Sequence, residues 1–210
     1  MPVTPGSPCA LVDSVAAEIE ARLIDRYSAE LSEADAVLIS DYNKGVVTSS
    51  VHQVVTAARS AGKPVTANPK PSSAHWLAGA SVVQLNQIEA EGAASKHGIS
   101  DSNTKLGDFP NEIGQVLREK LDVRTLLVTR GGKGLMLYRQ DVPPLHVPPI
   151  PVEVYDVAGA GDTVISTLTL GIAAGGSIED SAFVANHAAA CVVRKVGVAT
   201  VTVAEILGDQ

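Results

Sequence analysis

"YDVAGAGDTVIS", residues 155–166, places two acids, Asp156 and Asp162, around a glycine-rich turn. The residues after the turn are apolar at helical spacing: Ala160, Val164, Leu168 and Gly171 mark one helix face. Gly175 and Gly176 end that helix. Ser177, with Asp180 three residues on, starts the next as a weak capping pair. On the second helix Ile178, Ala182, Ala185, Ala189 and Val192 form a stripe of mostly small apolar residues, which permits close helix packing. The first turn of a helix carries unpaired N–H groups and a partial positive charge. Gly159 and Gly161 leave that backbone open, so the segment reads as an anion hole suited to a phosphate. An acid inside the turn competes with the anion unless it acts on something delivered to it. Asp162 can accept the proton of a hydroxyl that attacks the held phosphorus. The spacing fits equally an acid that only complements the helix dipole, and both readings stay open on the residues alone.

Working outward, "DAVLISD" predicts a buried strand ending at Asp41, "KPVTAN" one ending at Asn68, "ASVVQLN" one ending at Asn86 and "RTLLVT" one ending at Thr129. Helices are predicted over Leu11–Leu31, over "SSVHQVVTAARSAG" closed by Gly62, over about Gln87 to His97, and over "FPNEIGQVLREKLD". "GLMLY" after Arg130–Lys133 suggests a hairpin or tight turn, and "VPPLHVPPIPVEV" is irregular or edge structure. Two helices close the chain. Strands alternating with helices predict an α/β fold, a mostly parallel sheet flanked by helices, in one domain over residues 1–210. Four strand ends carrying Asp41, Asn68, Asn86 and Thr129 point to a shared ligand-binding rim at the carboxyl ends of the strands.

The composition narrows the partners. Of 210 residues, 45% are hydrophobic and 19% charged, with a formal charge of −7, an ordinary balance for a globular protein. No Lys/Arg cluster favours nucleic acid or an anionic membrane, and 3% aromatic residues argue against base stacking. No apolar run approaches the ~18 residues of a membrane span. The start, "MPVTPGSPCALVDS", lacks the pattern of a secretory signal. Cys9 and Cys191 have no metal-ligand spacing, so a reduced, cytoplasmic protein is expected. "GGKG" at 131–134 does not supply a Walker phosphate loop, and Val164 stands where a dinucleotide fingerprint wants its third glycine.

"DVAGAGDTVIS" resembles the C-terminal signature of the ribokinase-like, or PfkB, carbohydrate kinases, with Thr167 a small departure. "SDYNKG", "ANPK", "LNQIEAE", "LLVTRGGKG", "EVYDVAGAGDTVI" and "ANHAAACVVRKVG" follow the order of the heptose 7-phosphate kinase domains of ADP-heptose synthesis, from about Ser32 to Leu207. The resemblance implies a ribokinase-like fold and phosphoryl transfer from ATP, with Mg²⁺, to a sugar or sugar phosphate. It implies that Asp162 is the catalytic base and that the backbone of Gly159, Ala160 and Gly161 forms the anion hole. It places Asn86 and Glu89 with Mg²⁺ and the nucleotide phosphates, with Glu89 acting on the metal indirectly. It places Thr129, Gly131 and Gly134 near the ribose and phosphates, Asn186 at the adenine pocket, Asp156 beside a monovalent cation such as potassium, and Lys44 and Lys70 on the rim toward substrate phosphate.

Nothing matches the family's N-terminal Gly-Gly-x-x-x-N segment or its β lid, and Asn68 stands in "ANPK" where the heptose kinases carry Asp. The expectation is therefore a ribokinase-like domain truncated at its N-terminus, with the nucleotide half present and most of the sugar half absent. Such a chain is an ATP-dependent sugar kinase, a non-catalytic nucleotide-binding or assembly module, or an inactive fragment of such a kinase. An uncovered sheet edge predicts a homodimer or larger.

Overall fold

In a computed structural model, residues 14–99 and 111–208 are described. Six strands form one sheet in sequence order: β1 (Val37–Ser40), β2 (Val65–Asn68), β3 (Val82–Asn86), β4 (Thr125–Thr129), β5 (Leu135–Arg139) and β6 (Val142–Val147). β1 to β4 run parallel, and β5 and β6 return antiparallel. The helices are α1 (Ala17–Glu30), α2 (Val51–Ser60), α3 (Gln87–Lys96), α4 (Asn111–Lys120), α5 (Ala160–Ala173), α6 (Ile178–Val192) and α7 (Val203–Leu207).

The apolar runs that read as strands are continuous because both faces of the sheet are covered. Val83, Leu85, Leu126, Val128 and Tyr138 pack in a core with α2, α3 and α4. Their neighbours Val82, Leu127, Leu135 and Leu137 pack in a second core with Val164, Ile165 and Leu168 of α5 and with α6. Each fully buried Leu or Val contributes roughly 1.5–3 kcal/mol of transfer free energy. Burial also pushes the Tyr138 phenol up to about 12. The α5–α6 crossing is close enough that a side chain at Gly171 would meet Ser181 Oγ at 2.6 Å. The small residues of the α6 stripe serve that approach.

Three expectations change. β1 is not a buried strand: it is half-exposed along its length, Leu38 being 38% exposed, because it is the sheet's outer strand. The first helix starts at Ala17. Residues 11–13 of that expectation, Phe109 and Pro110 of the α4 expectation, and Cys9 lie outside the described residues. The chain closes with three helices rather than two. α7 is only five residues long and is held by a capping box between Thr202 and Glu205. Lys195, 2.6 Å from Glu205, holds that carboxyl down to about 2.

Candidate active site

The strand register puts the four expected rim residues at one end of the sheet. Ser40 pairs with Asn68 and Asn86 with Thr129, and the Asp41 N–H donates to the Asn68 carbonyl at 3.0 Å. Asp41 is only 5% exposed, so its role is internal. Its carboxylate accepts the Asn43 N–H at 2.7 Å and the Ser73 hydroxyl at 2.5 Å, fixing the turn after β1.

The stretch at 155–166 folds as its glycines require. Gly159, at φ 77°, is the N-cap of α5 in the left-handed region, where a side chain would be strained. Asp156 ties the turn to the loop after α6. It accepts the Ala158 N–H at 3.0 Å and the Gly197 N–H at 2.9 Å. These amides, Ala158 first, hold its carboxyl below the usual carboxylate range. The Ala160 N–H turns to the Val157 carbonyl at 3.2 Å. The amides left open to an anion in the first turn of α5 are those of Gly161 and Asp162. Gln84, buried on β3, donates to the Gly161 carbonyl at 3.0 Å and fastens the helix start to the sheet. Asp162 Oδ1 accepts the Tyr42 hydroxyl at 2.8 Å.

Beside this turn lies a mostly apolar pocket of about 430 Å³, lined by Thr129, Gly131, Gly134, Val157, Gly161 and Asn186 among others. Asn186 donates from Nδ2 to the Pro148 carbonyl at 2.8 Å, which fixes one wall. Gly134, at φ 82°, closes the β4–β5 turn through its carbonyl, which accepts the Arg130 N–H at 2.8 Å. A side chain there would collide with the Val147 carbonyl oxygen and the Pro149 nitrogen.

The sequence model described as "pfkB family carbohydrate kinase" matches residues 11–205. The chain belongs to the pfkB family. It is 37% identical over 198 residues to the bifunctional protein HldE of Geotalea uraniireducens, a match that covers 94% of this chain and 39% of that protein. It is 42% identical over 184 residues to the HldE of Chromohalobacter salexigens, covering 88% and 37%. The chain thus spans well under half the length of these curated relatives. Escherichia coli phosphofructokinase-2, solved in complex with potassium, superposes with a TM-score of 0.75 at 17% identity, over 93% of this chain and 62% of that one. Arabidopsis thaliana ribokinase, complexed with ribose and ATP, gives a TM-score of 0.72 at 24% identity, over 88% and 58%. The fold is ribokinase-like.

The pfkB-type turn and pocket adjoin: Gly161, in the first turn of α5, also lines the pocket. Asn86 and Glu89 form a capping box at the start of α3. Asn86 Oδ1 accepts the Glu89 N–H at 2.8 Å, and Glu89 Oε2 accepts the Asn86 N–H at 3.0 Å. Glu89 Oε1 lies 2.9 Å from Lys70 Nζ, so Lys70 meets a carboxylate and is not a bare rim cation. Lys44 is exposed, with no ion pair among the described residues. No cluster of three or more His, Cys, Asp or Glu side chains forms a metal cage among the described residues. With one Glu89 oxygen on Lys70 Nζ and the other on the Asn86 N–H, the carboxylate suits indirect contact, through water, with a magnesium ion carried by nucleotide phosphates. No helix among the described residues is long and apolar enough to cross a membrane.

Two residues of this pfkB site escape the sequence reading. Gln84 sits inside the apolar run "VVQLN", but it has the parity of Val82, which faces α5. That parity and its polarity are the available signal. Tyr42 lies inside the quoted "SDYNKG", yet its partner is 120 residues away, and nothing local announces it.

Proposed function

We propose that this chain is the kinase portion of a sugar-phosphate kinase, transferring the γ-phosphoryl group of ATP to a hydroxyl of a heptose 7-phosphate. The observation that carries the reading is Asp162 in the first turn of α5, beside open amides and an apolar pocket. The adenine lies in that pocket against Asn186, with the ribose and phosphates along Thr129, Gly131 and Gly134. The transferring phosphoryl group rests on the Gly161 and Asp162 amides, aided by the helix dipole. Asp162 accepts the proton of the acceptor hydroxyl as its oxygen bonds to phosphorus. The bond from phosphorus to the bridging oxygen breaks, ADP departs with that electron pair, and Asp162 later releases the proton to water. Glu89 would face Mg²⁺ carried by the ATP phosphates, which would supply neutralisation of their charge. A monovalent cation, potassium, belongs beside Asp156, whose oxygens each keep a further lone pair. Lys44 contributes charge for substrate phosphate, and Lys70 joins it when Glu89 turns to the metal.

The same reading treats the chain as one ribokinase-like domain working in the cytoplasm, where ATP is made available. It also gives the chain a second copy, paired along the open side of β1. The heptose acceptor is supported by the HldE relatives. The test is ADP release by the full chain with Mg·ATP and a panel of sugar phosphates. Release should depend on the acceptor and fall on the order of 10²–10⁴-fold in Asp162→Asn, the usual range for loss of a positioned base. Nucleotide binding without release for any acceptor would instead make the chain a nucleotide-binding module.

A further inference from the structure

The turn after β1 is built to hold one side chain still. Asp41, buried at its base, accepts the Asn43 N–H at 2.7 Å in an Asx-type turn and the Ser73 hydroxyl at 2.5 Å. Asn43 and Gly45 both adopt positive φ, 54° and 79°, and an αL conformation is uncommon for a residue other than glycine. The Gly45 carbonyl accepts the Val15 N–H at 2.9 Å. Between these fixed points stands Tyr42, 61% exposed. An exposed tyrosine on a loop has no reason of packing to be fixed. Here its hydroxyl donates to Asp162 Oδ1 at 2.8 Å, across the rim from a different element.

A carboxylate that serves as a base must present one oxygen in one direction. A carboxylate free to rotate spends only part of its time there, and small misplacements of reacting groups are costly in rate. The bond from the phenol to an ionised oxygen is charge-assisted, the stronger kind. It fixes Oδ1 and leaves Oδ2 free. We infer that Tyr42 is a positioning residue: it pins Asp162 through Oδ1 so that Oδ2 faces the acceptor hydroxyl. The inference rests on the kinase reading above for its purpose, but the pairing itself does not. Asp41, Asn43 and Ser73 act one step further back, by holding the turn that holds Tyr42.

The experiment compares the full-length chain with Tyr42→Phe, which keeps the ring and removes only the donor. The Asp162 carboxyl carbon resonance is assigned in ¹³C-labelled protein through its loss in Asp162→Asn. In Tyr42→Phe that resonance should move while the melting temperature holds, since Tyr42 is exposed. With acceptor and Mg·ATP, kcat should fall about tenfold, the scale of one hydrogen bond to a charged group, with KM for ATP unchanged. Tyr42→Phe combined with Asp162→Asn should be no slower than Asp162→Asn alone. A moved resonance with no phosphoryl transfer by any variant would support the pairing and sink the kinase reading. An unmoved resonance would overturn the inference whatever the kinase activity. So would a moved resonance with unchanged kcat.

Discussion

The middle of the sheet and its β1 edge differ in how far they are covered. At β3, β4 and β5 nearly every strand residue is buried, because helices cover both faces. The pocket beside α5 is walled by close backbone approaches, such as Gly134 against Val147 and Pro149. At the edge, among the described residues, β1 is paired on one side only and half-exposed, and α1 has no buried residue. Tyr27 bonds α1 to the Val54 carbonyl of α2 at 2.8 Å, but Ile19 and Leu23 stay about half exposed. The middle strands belong to the cores on both faces, whereas β1 packs Val37 and Ile39, partly buried, against one of them. Within one sheet the middle strands are closed from both faces, while the edge strand β1 packs only partly against one of them.

Substitutions can break that contrast. The largest effect should come from Gly134→Ala, which combines a positive φ with a backbone collision. A cost of about 3 kcal/mol is expected from strain and overpacking together, a fall of roughly 10 °C in melting temperature by calorimetry. An intermediate effect is expected at the edge. Light scattering at micromolar concentration should report a dimer, and Leu38→Lys, which puts a charge on the outer strand, should shift it to monomer. A monomeric unaltered chain would show that the β1 edge is self-sufficient. The smallest effect belongs to Leu23→Ala on α1, 48% exposed, which should change stability by no more than about 0.5 kcal/mol. A loss as large as that of Gly134→Ala would erase the distinction between the two sides.

Much of the pocket side is legible in the sequence. Buried parallel strands write themselves as unbroken apolar runs closed by a polar residue, so Asn68, Asn86 and Thr129 mark the strand ends. Gly159 marks the N-cap of α5, and the paired Asp156 and Asp162 mark the turn. Asn86-x-x-Glu89 is legible through the family resemblance, and the structure uses it as a helix cap. The exposure of β1 is not legible, because "DAVLISD" looks the same whether or not something covers it. Tyr42 is silent because its bond to Asp162 exists only once β1 and α5 are packed together. The short α7 places Val203, Ile206 and Leu207 at helical spacing, but five residues are too few to show a period; Thr202 and Glu205 carry a capping-box spacing that could have revealed it.

The proposal that the pocket beside α5 binds nucleotide is tested most directly by amide hydrogen exchange on the full chain with and without millimolar Mg·ATP. Binding to the folded state slows exchange where the ligand sits and raises stability by mass action. Exchange should slow in residues 129–134 and 159–163 and around Asn186, with α1 unchanged. Unaltered exchange across those segments, or protection confined to α1 and β1, would contradict it.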